Sequence, residues 1–138
     1  MYILDTNVLS ELRKAHAGNA NPGVTAWAAE VPPASLFLSV VSVLELELGV
    51  LLIERRDAAQ ALHLRAWLDN RVLPAFADRI LPIDESIARR CASLHVPNPR
   101  PERDALIAAT ALTHGMTVVT RNLNDFDPFG VAVLNPWR

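Results

Sequence analysis

This chain has one cysteine, one lysine and no apolar run approaching the about 20 residues needed to cross a bilayer. The lone Cys91 rules out an internal disulfide and cannot build a thiolate zinc site by itself. Its setting, Ala88-Arg89-Arg90-Cys91-Ala92-Ser93-Leu94, predicts a packed helical position and fits a reducing, cytoplasmic compartment. No basic segment leading into an apolar stretch opens the chain, so neither export nor a membrane anchor is expected. Positive charge is also scarce. With Lys14 as the only lysine and a formal net charge of −2, the chain lacks the global basic signature of nucleic-acid binding. A local basic patch remains open, and a concentrated group of carboxylates would itself lower the total. His63, His95 and His114 show no H-x-x-x-H ligand spacing and read as structural. Trp27, Trp67 and Trp137 are too dispersed for a stacking platform and suit core or dimer packing.

What is present suits a folded domain: 51% hydrophobic and 20% charged residues over 138 positions, with no repeat, low-complexity tract or linker. The simplest organisation is one domain over 1–138. Prolines punctuate it. Tyr2–Leu4, Leu36–Val40, Ile80–Ile83, Thr117–Thr120 and Val131–Leu134 read as strands, with Pro82 marking an edge strand. Helices are predicted from Thr6 to about Lys14, after Pro22-Gly23, from a Ser42 cap to about Arg55, and from an Asp57 cap towards Leu73. Two more run from an Asp84 cap to about His95 and from about Arg103 to Gly115. This alternation implies an α/β fold, a central, mostly parallel β-sheet flanked by α-helices. Sites in such sheets gather at the carboxyl ends of strands, where Ile3-Leu4-Asp5-Thr6-Asn7 changes abruptly from apolar to acidic.

Two further acids stand out. Helical steps of three, four and seven from Glu45 reach Leu48, Gly49 and Leu52, an apolar stripe read as core-facing, whereas Glu47 shares its stripe with Glu54. The same steps from Asp104 reach Ile107, Ala108 and Ala111; an acid there either caps the helix or serves a site. Carboxylates on core-facing stripes must be paired, protonated or bound to a cation. A divalent cation with oxygen ligands explains Asp5, Glu45 and Asp104 jointly. Leu44, Leu46, Leu48, Leu51 and Leu52 give their helix more apolar surface than one face needs, which suggests an interface.

Leu4-Asp5-Thr6-Asn7-Val8-Leu9, Ser42-Val43-Leu44-Glu45-Leu46-Glu47-Leu48-Gly49, Asp104-Ala105-Leu106-Ile107-Ala108-Ala109-Thr110-Ala111 and Val119-Thr120-Arg121-Asn122-Leu123-Asn124-Asp125-Phe126 together resemble the four motifs of PIN domains. Their order and spacing are similar to those of VapC-type toxins of bacterial toxin–antitoxin pairs. The resemblance implies a PIN-like fold and an Mg2+- or Mn2+-dependent ribonuclease, dimeric and held inactive by a cognate VapB-type antitoxin. Asp5, Glu45 and Asp104 match the family's first three acids. At the fourth position this chain has Asn122 where many members have aspartate, and the next acid is Asp125, which either reaches the site as a metal ligand or caps the turn into Phe126. Thr6, Asn7 and Thr120, with Asn122, are expected to hold the ligands by hydrogen bonds. Arg100, Arg103 and Arg121 are candidates for RNA phosphates, with solvated or antitoxin-contacting arginines as the other reading.

The alternative function is a non-catalytic PIN-like module that binds RNA or protein. A haloacid-dehalogenase-type phosphatase needs an acid where Asn7 stands, and a receiver domain needs a lysine after a late strand, so neither fits.

Overall fold

The computed structural model describes residues 1–138. Five short strands, β1 (Tyr2–Leu4), β2 (Leu36–Ser39), β3 (Ile80–Leu81), β4 (Thr117–Val119) and β5 (Val133–Leu134), form one sheet in the order β3-β2-β1-β4-β5. Every pairing is parallel, with Tyr2 opposite Leu36 and Leu4 opposite Val119. Parallel neighbours require crossovers, which the intervening helices supply. These are α1 (Thr6–Arg13), α2 (Pro22–Glu30), α3 (Val40–Glu54), α4 (Ala58–Trp67), the single turn α5 (Leu73–Ala75), α6 (Glu85–Leu94), α7 (Glu102–His114) and α8 (Leu123–Phe126).

Strand alternation divides the core between the sheet's two faces. Ile3 and Val118 pack with Ile87, Cys91, Ile107 and Ala108 from α6 and α7. Leu4 and Val119 pack on the other side with Val8, Val24, Leu46 and Leu68. Both layers are therefore covered, as an all-parallel sheet requires.

Most helix ends follow the sequence reading. Asp57 accepts from the Gln60 N–H at 3.0 Å, Asp84 accepts from the Ile87 N–H at 2.9 Å, and Gly115 closes α7 at φ +66°. The start of α3 corrects it. Ser39, not Ser42, is the cap, its Oγ accepting from the Val41 N–H at 3.0 Å, so Val40 and Val41 enter the helix despite their β-branched side chains. Ser42, fully buried one turn in, donates to the Leu4 carbonyl at 3.5 Å and ties α3 to the end of β1. The helix after Asp57 is regular only to Trp67; a wide turn over Leu68–Val72 leads into α5, where Pro74 sits.

The chain moves from β1 outward through β2 to β3, then returns to β4 on the opposite side of β1. The crevice between the carboxyl ends of β1 and β4 is thus the sheet's switch point, where open parallel sheets accept ligands.

Candidate active site

Asp5 is the first residue beyond β1, and the parallel register brings it beside Thr120, the first residue beyond β4. Its backbone N–H continues the ladder to the Val119 carbonyl at 2.9 Å. Its side chain is held on both oxygens. Oδ1 accepts from the Thr6 N–H at 2.8 Å, and Oδ2 accepts from the Thr120 hydroxyl at 2.8 Å and the Asn7 amide at 3.2 Å. Thr120, completely buried, in turn accepts from the Asn122 N–H at 3.0 Å, while Asn7 Oδ1 accepts from the Arg121 N–H at 3.3 Å. Thr6, Asn7 and Thr120 therefore orient the Asp5 carboxylate, and Asn122 reaches this network through its backbone N–H.

Glu45 projects from the second turn of α3 and its Oε1 accepts from the Thr6 hydroxyl at 2.8 Å. Its expected core-facing stripe needs correction. Leu48 and Leu52 on that stripe are exposed, whereas α3 buries Val41, Ser42, Leu46 and Val50. Glu45 is thus on the rim facing β1 rather than on a core stripe. Asp104 lies in the first turn of α7 but caps nothing; Pro101 occupies the cap position without a side-chain bond. Fully buried Ala105, Ile107, Ala108 and Ala109 press α7 against the sheet and so hold Asp104 over the switch point.

These acids lie within electrostatic reach of one another. Burial first, then the charges of Asp5, Asp125 and Glu45, push Asp104 up to about 6 from an ordinary 3.8. Burial likewise raises Asp5, the Thr120 and Thr6 hydrogen bonds oppose it, and Glu45 and Asp125 raise it further. Asp125, in α8, is the fourth charge felt by both Asp5 and Asp104, and neither Asp125 nor Asn122 caps α8 with its side chain. The only ion pair to any of the four acids joins Arg103 Nη1 to Glu45 Oε2 at 3.7 Å. Converging, under-compensated carboxylates form an all-oxygen donor set suited to a hard divalent cation.

The other arginines are placed elsewhere. Arg121 lies over the Trp137 ring at 5.8 Å and lends its charge to Glu11, and Arg100 is exposed on the loop before α7. Trp27 packs edge-on to Tyr2 at 5.4 Å, and Trp67 receives Arg13 over its ring at 5.9 Å, so neither offers a free stacking face.

The sequence reading missed Ser42 as a support of the site and a second cluster of ligand-type groups. Cys91 and His95 lie four residues apart at the end of α6 and meet Glu102 at the head of α7. Cys91 Sγ is 3.8 Å from both His95 Nε2 and Glu102 Oε1, and His95 Nε2 is 3.3 Å from Glu102 Oε2. The Arg100 N–H donates to His95 Nδ1 at 3.0 Å, which leaves the ring proton of the neutral imidazole on Nε2, whose hydrogen-bond partner is Cys91 Sγ, with Glu102 Oε2 alongside at ion-pair distance. A cation on Nε2 would need that proton on Nδ1, facing the Arg100 N–H. The arrangement is a hydrogen-bonded clasp. The helical spacing of Cys91 and His95 was its only sequence signal.

The PIN domain family profile matches residues 2–129. The chain is a PIN-domain protein. Among relatives of this PIN domain, Toxin FitB of Neisseria gonorrhoeae is 40% identical over 144 residues, covering 100% of this chain and 99% of that protein. VapC ribonuclease Y4jK of Sinorhizobium fredii is 37% identical over 143 residues, with the same coverage. The crystal structure of FitAcB from Neisseria gonorrhoeae matches the PIN domain with a TM-score of 0.89 at 37% identity, covering 100% of this chain and 99% of that one.

Proposed function

We propose that this PIN-domain protein, with residues 1–138 acting as one domain, is an endoribonuclease that uses Mg2+ or Mn2+ and serves as the toxin of a VapBC-type pair. What supports the proposal is Asp5 held at the switch point by Thr6, Asn7 and Thr120, with Glu45 on the Thr6 hydroxyl, Asp104 and Asp125 within electrostatic reach, and Arg103 as the one paired cation. Ribonuclease and toxin are the names of its full-length relatives at 37% and 40% identity. Asp125 supplies the charge that Asn122 lacks, and this weighs against a non-catalytic module.

Asp5, Glu45, Asp104 and Asp125 would hold the cation, which when bound supplies a Lewis acid for the scissile phosphate and offsets charge developing on its oxygens. Thr120, Asn7 and the Thr6 N–H keep Asp5 in a single orientation, and the Thr6 hydroxyl does the same for Glu45. Asp104, half-buried in the first turn of α7, would orient the attacking water or accept its proton.

A toxin needs a restraint in its own cell, and a VapB-type antitoxin supplies it. Leu44, Leu48, Leu51 and Leu52 on α3 and Leu62 on α4, between 36% and 72% exposed, offer an apolar surface for such a partner or for a second copy of the chain. No helix is long and apolar enough to cross a membrane. We place the protein in the cytoplasm with its RNA substrate.

The deciding experiment incubates purified protein with single-stranded RNA in Mn2+, in Mg2+ and in EDTA. Internal cleavage with either metal and none in EDTA is expected. Equal cleavage in EDTA would overturn the metal, and intact RNA throughout would overturn the enzyme.

A further inference from the structure

Arg103 immediately precedes Asp104 on α7, yet its guanidinium reaches across to Glu45 on α3. The pair is loose. Nη1 to Oε2 is 3.7 Å, beyond the about 2.7–2.9 Å of a charge-assisted hydrogen bond, and the Arg103 side chain is 50% exposed. Elsewhere on α3, Glu47 is gripped by both prongs of Arg65, whose Nη1 lies 2.7 Å from Oε1. Glu45 instead shares its oxygens: Oε1 with the Thr6 hydroxyl, Oε2 with Arg103. A cation held by Glu45 would compete with Arg103 for Oε2, and the freed guanidinium, half exposed beside Asp104 in sequence, would be available to a phosphate.

We propose that Arg103 is an exchanging counter-charge, paired with Glu45 in the metal-free protein and transferred to a substrate phosphate once a divalent cation takes Glu45. This rests on the metal reading of the acidic cluster and adds a residue-level link between cation and substrate. The link has a fixed sign. Arg103 opposes the cation when no phosphate is present and favours phosphate when the cation is bound, so the two ligands promote each other's binding through this side chain. Such coupling is reciprocal.

The test titrates Mn2+, and separately adenosine 5′-monophosphate in saturating Mn2+, into wild type, Arg103→Gln and Arg103→Lys, following heat. The nucleotide has a phosphate but no diester to cut. Arg103→Gln is expected to bind Mn2+ roughly two- to fivefold more tightly, the scale of an exposed ion pair, and nucleotide more weakly by a similar factor. Arg103→Lys keeps the charge and should stay near wild type for Mn2+. Opposite signs separate exchange from a structural role, which would weaken both ligands together. Unchanged or weaker Mn2+ binding by a folded Arg103→Gln overturns the exchange while leaving the metal site standing. A wild type that takes up no Mn2+ overturns both.

Discussion

Two groups of metal-ligand side chains meet near the head of α7, and they behave oppositely. Glu102 belongs to the clasp with Cys91 and His95; Asp104, two residues on, belongs to the acidic cluster. In the clasp the polar groups are already engaged with one another: the Arg100 N–H on Nδ1, Nε2 on the Cys91 sulfur, the thiol on one Glu102 oxygen, and the other Glu102 oxygen 3.3 Å from Nε2. In the acidic cluster burial and the neighbouring charges raise the proton affinity of Asp5 and Asp104, with one loose ion pair, Arg103 to Glu45, nearby. Closeness of ligand atoms and uncompensated charge are thus separate properties, and each cluster has one of them. On the metal reading proposed above, a cation among the acids would relieve a repulsion, whereas one in the clasp would have to break hydrogen bonds.

The most direct way to break this contrast is to neutralise an acid. Asp5→Asn and Asp104→Asn should each lower Mn2+-dependent RNA cleavage by more than about a hundredfold, exceeding the loss typical of residues that merely support ligands. The melting temperature of metal-free Asp104→Asn should hold or rise, because a repulsive charge has gone, whereas Asp5→Asn also gives up acceptor bonds to Thr120 and Asn7 and should melt lower. Wild-type cleavage by Asp5→Asn would refute the site.

Thr120→Val comes next. It removes the hydroxyl that donates to Asp5 and accepts from Asn122 while keeping the buried shape. Cleavage should fall about ten- to a hundredfold, and stability by about 1–3 kcal/mol for the unpaired groups left behind. Chemical denaturation and initial-rate assays read the two effects; an unchanged rate would mean that Asp5 needs no such support.

The pH dependence sharpens the comparison without mutating the cluster. Asp104, at about 6 in the fold against 3.8 in a free chain, binds a proton that the unfolded chain does not bind between those values. Metal-free stability should therefore rise as pH falls from about 7 towards about 5. The raised Asp5 has the same sign. Glu11 and Glu47 are lowered from 4.5, by the Asn21 N–H and by Arg65 respectively, so their stabilisation is lost only at more acid pH. Mn2+ affinity should fall as pH drops through about 6, and Asp104→Asn should flatten much of both slopes. A flat metal-free profile in the wild type would show that the acids do not repel one another.

How much of this could be read from residues alone differs from acid to acid. Asp5 was legible because a buried parallel strand that ends on a carboxylate places that acid at the edge where such sheets take ligands. Glu45 was found through a mistaken premise, since its leucine stripe is exposed and periodicity cannot distinguish core from interface. Asp104 was ambiguous because first-turn acids commonly stabilise helices; the structure removes a cap bond but keeps the acid in the first turn, where it also suits the helix dipole. Asp125 depended on how a short helix aims one side chain, which spacing does not encode. The clasp was invisible because its third member lies across a proline-rich loop from the Cys91 and His95 pair.

That clasp gives the smallest and most discriminating effect. Cys91→Ala should cost about 1 kcal/mol for the lost buried sulfur and leave RNA cleavage untouched, since Cys91 contacts none of the four acids. Burial, then the Glu102 charge, raises the Cys91 thiol above its ordinary value, so it stays protonated and is a poor soft-metal ligand. Micromolar Zn2+ should accordingly shift the melting temperature of wild type and Cys91→Ala by the same amount. A Zn2+ stabilisation present in wild type and absent from Cys91→Ala would mean that the Arg100 bond to His95 yields to a cation. The two clusters would then differ in ligand softness, not in whether they hold a metal.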